Sequence, residues 1–245
     1  MEILEIEIKI DNLTAGGYPF LKNYGKMPDS CNNLSTSFQS GKVYGIIGGC
    51  GEGGWTLSHI LTGRDKPYEG KVLLNGQAAD EKILEYYGWY VGDGITSKGL
   101  IRKRKTIYRQ IKEGIVQTSS NFTAEDITNL FGLSKDRIHY PLEELSWEKW
   151  RASIAIGFAH GKRIFCFPWC DASWVNNLIL NCGIHICIDI LKNAGAIIIF
   201  PTQKSESVNF FVDEIIHLNN EKHTPSPRAK EFVEQYFEGK RNRST

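Results

Sequence analysis

Apolar and polar residues alternate loosely over positions 2–10 (Ile3, Glu5, Ile6, Glu7, Ile8, Lys9, Ile10), which predicts a strand of edge type. Positions 34–39 predict a second strand, ended by the Ser40-Gly41 turn. Val43-Tyr44-Gly45-Ile46-Ile47 is an unbroken apolar run that stops at a glycine-rich loop, the pattern of a strand buried on both faces. Positions 56–61 then show helical spacing and stop at Gly63. Positions 69–74 predict another strand, closed by Asn75-Gly76. From about 95 to 160 the spacing turns helical, over 106–117, 123–131 and 146–160. Two further apolar runs, 163–167 and 196–200, flank a helix-like stretch over 174–193. A strand over 214–218 and a short amphipathic helix near 228–238 complete the pattern. Strands alternating with helices predict an α/β fold with a largely parallel core sheet, interrupted by a helical insert.

Composition narrows this little. With 245 residues, 41% hydrophobic and 23% charged, the chain reads as one large α/β domain or one domain carrying an inserted subdomain. A net charge of +1 gives no footprint for nucleic acid, and the cluster Arg102-Lys103-Arg104-Lys105 reads as a solvated loop. No apolar run reaches the roughly 18 residues of a membrane span, and the start is too acidic for a secretion signal. The six cysteines form no C-x-x-C pair; they read as reduced, mostly buried thiols, and no metal site is expected.

The chemistry concentrates in Gly45-Ile46-Ile47-Gly48-Gly49-Cys50-Gly51-Glu52-Gly53-Gly54-Trp55-Thr56-Leu57. Gly48, Gly51 and Gly53 fall between a strand and a helix, where a loop can turn its N–H groups toward a phosphate. A working phosphate loop also needs a lysine for the outer phosphates and a Ser or Thr for Mg²⁺. Gly54 stands at the lysine position and Trp55 at the Ser/Thr position; Thr56 serves only if the register shifts. The same run satisfies G-x-G-x-x-G through Gly49, Gly51 and Gly54. A dinucleotide fold then wants an acid about 20 residues later, where Leu73, Leu74 and Asn75 stand. A glycine turn with no ligand is the third reading.

Over nearly its whole length the chain resembles the ATP-binding cassette (ABC) ATPases. Tyr24 resembles the aromatic residue that stacks on adenine, and positions 44–63 the strand, phosphate loop and first helix. Positions 69–76 resemble the family's G-x-v-x-x-x-G strand pair. Trp89-Tyr90-Val91-Gly92-Asp93 resembles the strand before the glutamine loop, with Asp93 at the glutamine position. Leu145-Ser146-Trp147-Glu148-Lys149 sits at the L-S-G-G-Q signature, and Phe167-Pro168-Trp169 at the Walker B end. Val175 and Gln203 fall at the D-loop and switch-histidine positions, and Asn219–Lys222 resembles the family's last-strand ending. The resemblance implies an α/β, P-loop NTPase-like ABC cassette with a mixed or parallel core sheet, an antiparallel β part and an inserted helical subdomain. It implies a first core part over 1–94, the helical subdomain over 95–160, a second core part over 161–223 and a tail helix over 224–245.

The departures fall on the chemical positions. Trp147 and Glu148 replace glycines that let a backbone approach a partner's γ-phosphate, adding bulk and a repelling charge. Pro168-Trp169 replaces the Asp-Glu of Walker B, with Asp171 expected in the following loop, and Gln203 lacks the titrating charge of histidine. Loss of one hydrogen bond to a charged group, about 1.5–3 kcal/mol, weakens ATP binding by roughly one or two powers of ten. Loss of a general base typically costs about 10²–10⁴ in rate. The expectation is therefore a cassette homologue with no catalytic residues and no required cofactor, acting as a structural or regulatory pseudo-ATPase. It would dock on a membrane permease subunit, and on an intact ABC ATPase or a second copy of itself, at the cytoplasmic side of the membrane. A working ATPase using ATP and Mg²⁺ through displaced groups, and a dinucleotide or small-anion module, are the alternatives.

Overall fold

The computed structural model describes residues 5–19, 28–95 and 104–218. Tyr24, Arg102, Lys103, the 219–222 ending and the 228–238 helix lie outside these residues. The elements run β1 (Glu7–Pro19), β2 (Pro28–Gln39), β3 (Val43–Ile47), α1 (Gly54–Leu61), β4 (Glu69–Leu74), β5 (Gln77–Ala78), α2 (Glu81–Tyr87) and β6 (Gly88–Tyr90). The helices α3 (Ile107–Thr118), α4 (Ala124–Leu130) and α5 (Lys149–Ala159) come next. Then follow β7 (Ile164–Cys166), α6 (Ala172–Leu180), α7 (Ile184–Asn193), β8 (Ile197–Thr202) and β9 (Glu214–His217).

Two sheets result. One is antiparallel with order β2-β1-β4-β5; the other has order β6-β7-β8-β3-β9 and only parallel pairings. Apart from its edge strand β9, the parallel sheet is apolar on both faces, and its alternation sorts residues between two cores. Tyr44, Ile46, Ile164, Cys166, Ile197 and Ile199 pack with α1 and the antiparallel sheet. Val43, Ile47, Phe165, Ile198 and Phe200 pack with α5, α6 and α7 on the other side. An unbroken apolar run in sequence thus becomes a period of two in space.

Several elements differ from the sequence pattern, β2 among them, which starts at Pro28 instead of near 34. β1 runs to Pro19 instead of ending near 10, because a register shift between Ile10 and Leu13, with Asn12 at φ 49, lets both residues face inward. Such a bulge breaks strict alternation without ending the strand. The helix-like stretch over 174–193 is two helices bent by 78°, broken before α7 by Gly183 at φ 64. The helix α2 escapes notice because Leu84 is its one buried residue. Ser153 on α5 joins the helical region to the parallel sheet: its Oγ accepts from Trp89 Nε1 (3.1 Å) and Gly92 N (2.8 Å) and donates to the Asp93 carbonyl (2.6 Å). Among the described residues no single helix is long and apolar enough to cross a membrane.

Candidate functional site

The strand β3 delivers the chain into the glycine loop, and the Gly48 N–H extends its ladder to the Thr202 carbonyl (3.0 Å). Gly51 (φ 89) and Gly53 (φ 100) adopt the left-handed conformation that glycine supplies without strain. Gly53 is the N-cap of α1 and has no side chain to cap it. The cap comes from another element. Asp29, 1% exposed near the start of β2, accepts from Gly53 N through Oδ1 (2.9 Å) and from Thr56 N through Oδ2 (2.7 Å). Thr56 Oγ1 lies 2.8 Å from Asp29 Oδ2 and 2.9 Å from the Asp29 carbonyl oxygen, its one proton shared between them. Glu52 folds back so that its carboxylate accepts from the Gly49 N–H.

The opposite side of the loop is aromatic. Trp169 Nε1 donates to the Gly48 carbonyl (2.8 Å), and its ring lies 5.1 Å from that of Trp55, centroid to centroid. Trp169 stands beside Gly54, where a Cβ would come within 2.8 Å of Trp169 Cδ1 and 3.0 Å of Pro201 Cβ. Ser58 Oγ ties α1 to the Phe167 carbonyl at the end of β7 (2.7 Å). The Cys50 thiol is pushed above its ordinary value by burial and then by the Asp29 carboxylate, so it is no activated nucleophile.

Asp93, Val175, Gln203 and the signature-like residues make their contacts elsewhere. Asp93 pairs with Arg64 (2.7 Å), whose guanidinium lies 4.3 Å over the Tyr90 ring. Asp171, expected in a loop, caps α6 by accepting from Trp174 N (2.9 Å). Val175 is fully buried on α6, and Gln203 is exposed just beyond β8. In the signature-like run Leu145 is half-buried and Ser146 exposed. Glu148 points inward: it is 6% exposed, accepts from Ser134 N (2.5 Å) and pairs with Arg137 (3.4 Å). Its charge is thus compensated within the chain, contrary to the expectation of an outward repelling charge. Trp147 and Trp150 both pack edge-on against Trp174 (5.9 and 6.1 Å), and Lys149 Nζ lies 5.7 Å from the Trp150 ring. No group of three or more His, Cys, Asp or Glu among the described residues is placed to hold a metal.

Sequence reasoning missed Asp29. The one available signal was negative: Gly53-Gly54-Trp55 offers no Ser, Thr, Asp or Asn to cap a helix that the spacing plainly starts, so the acceptor has to come from elsewhere.

The ABC transporter family model matches residues 31–167. The methionine import ATP-binding protein MetN of Geobacillus kaustophilus is 23% identical over 234 residues, covering 84% of this chain and 66% of its own length. The energy-coupling factor transporter ATP-binding protein EcfA1 of Thermotoga maritima is 26% identical, covering 84% of this chain and 79% of its own. The match to MetN 1 of Listeria innocua spans 57% of this chain and 44% of that protein. In three dimensions the chain is similar to cbiO1 of Clostridium perfringens, part of the ABC transporter complex cbiONQ. That TM-score is 0.61 at 17% identity, over 86% of this chain and 84% of that one. It is also similar to part of a bacterial Atm1-family ABC exporter (TM-score 0.58, 17% identity, 89% of this chain, 38% of that one). These structural likenesses carry the fold.

Proposed function

We propose, because this chain belongs to the ABC transporter family, that it is a cassette subunit that docks in a transport assembly and does not hydrolyse ATP. The observation that carries the reading is the seat of Gly54. At the position where the family resemblance requires lysine, the backbone is held against Trp169 and Pro201, so that an added Cβ would fall only 2.8 Å from the Trp169 ring. A side chain at this position would have to displace Trp169 or Pro201. The residue after it, Trp55, has an indole with no oxygen to offer Mg²⁺, and it is 8% exposed and packed on Trp169. Pro168-Trp169 provides no carboxylate at the end of β7 either. Phosphoryl transfer depends on positioning and on charge stabilisation by lysine, metal and donors. The residues present do not fit a hydrolysed Mg²⁺–nucleotide.

The relatives named as import and energy-coupling factor ATP-binding proteins support a transport setting. In this proposal the partners are a membrane permease subunit and an intact ABC ATPase or a second copy of this chain. The permease holds the subunit at the cytoplasmic side of the membrane. Residues 95–160 act as the inserted helical subdomain, and Ser153 couples it to the segment after β6 that carries Asp93. The test is titration of the purified chain with a fluorescent ATP analogue and Mg²⁺, with phosphate release measured for the chain alone and with an intact cassette. The expected result is no turnover attributable to this chain; micromolar binding with turnover overturns the reading.

A further inference from the structure

We propose that two of the chain's own carboxylates, Asp29 and Glu52, hold the glycine loop shut by taking the N–H groups that a phosphate chain would need. The inference rests on the non-hydrolysing reading above and adds the physical device that excludes nucleotide. A glycine loop followed by a helix is an anion cradle because its N–H groups point into one concavity. Here the N–H groups of Gly49, Gly53 and Thr56 all donate to carboxylate oxygens. The Thr56 hydroxyl turns to Asp29 as well.

The contact is built into the antiparallel sheet. Asp29 approaches only because two glycines let the backbones close. A Cβ on Gly16 (φ +102) would fall 2.2 Å from the Asp29 carbonyl oxygen and 2.7 Å from Thr56 Oγ1. A Cβ on Gly53 would fall 2.8 Å from the Ser30 carbonyl oxygen. Ser30 N donates to the Gly51 carbonyl (3.3 Å) and fixes the start of β2 against the loop. An entering oxyanion therefore loses three N–H donors and faces two negative charges, one of them fully buried, so exclusion comes from repulsion as well as from the absent lysine. Restoring a lysine at position 54 then gives no binding, whereas neutralising the two carboxylates opens an anion site.

The experiment uses the full chain and inorganic pyrophosphate as the probe, followed by calorimetry, with amide exchange of the unmodified protein as a second readout. In the unmodified protein the amides of Gly53 and Thr56 are expected to exchange about 100-fold more slowly than an open loop amide. The Asp29→Asn/Glu52→Gln double variant, which keeps the side-chain sizes, is expected to bind pyrophosphate at least about ten-fold more tightly than the unmodified chain. Fast exchange at both amides, or a folded double variant with no gain in affinity, overturns the proposal. If the double variant does not fold, the exchange rates of the unmodified chain decide. ATP turnover by the unmodified chain sinks the non-hydrolysing reading instead. An inert chain with unprotected amides sinks only the carboxylate closure.

Discussion

The glycine loop and the signature-like corner are built from the same kinds of residue, tryptophan and an acid, and they differ in how the tryptophans are used. At the loop, Trp55 is 8% exposed and Trp169 spends its indole N–H on the Gly48 carbonyl. At the corner, Trp147 and Trp174 are 46% and 42% exposed, and the rings there pack on one another. The acids are inward in both places: Asp29 caps α1, and Glu148 binds the Ser134 N–H and Arg137. The difference teaches where the chain completes its own interactions. The loop is sealed by groups of this chain, while the corner keeps aromatic area uncovered, the kind of surface that a partner in the proposed assembly would bury.

This contrast is open to direct attack. The largest effect is expected from Gly54→Lys. Its Cβ must displace Trp169 or Pro201, at a cost of about 2–3 kcal/mol for overpacking. Urea denaturation measures this loss, and in a Trp169→Ala background most of it should vanish as a coupling between neighbours. An equal cost in both backgrounds would show that the ring is not what closes the seat.

A smaller effect comes from pH, at the last turn of α1. His59 packs edge-on against Tyr90 (5.1 Å), and burial, reinforced by Arg64, lowers its pKa from 6.5 to about 4. A histidine depressed in the fold stays neutral there, so its stabilisation is complete above pH 6.5 and is lost as pH falls from 6.5 toward 4. Linkage puts the loss on the order of 2 kcal/mol, less what partial exposure screens. His160 is shifted in the same direction, mainly by burial, and its share is likewise lost as pH falls below 6.5. Thermal unfolding of His59→Gln between pH 7 and 4 isolates the first share: the variant should show a shallower decline than the unmodified chain. Trp147→Ala should matter least, changing stability by under about 0.5 kcal/mol because its ring is already half in water. The same measurement of a large loss would place the corner in the core of the chain and remove it from consideration as a docking surface.

Much of the scaffold was legible in the sequence. The apolar runs of β3, β7 and β8 and the order of strands and helices state the α/β architecture, since burial on two faces demands apolar residues at every position. The glycine loop was equally legible, because Gly51 and Gly53 mark backbone angles that other residues resist. Legibility failed where pattern and burial part company. A bulge at Asn12 hid the second half of β1, and Glu148, charged beside an exposed tryptophan, looked like a surface residue but is buried and paired.

By itself, then, the sequence determined the succession of strands and helices along the chain, the glycine loop, and the identity of the residues that follow it, Gly54 and Trp55 after β3 and Pro168-Trp169 after β7. These are properties of single residues and of local period. Only the tertiary structure decided what closes the loop. Asp29 meets Gly53 and Thr56 across separations of 24 and 27 residues, and Trp169 meets Gly48 across 121. Contacts of that span leave no period in the chain. They exist because an antiparallel hairpin and the end of a parallel strand are brought to the same helix N-terminus, where unpaired N–H groups must find an acceptor.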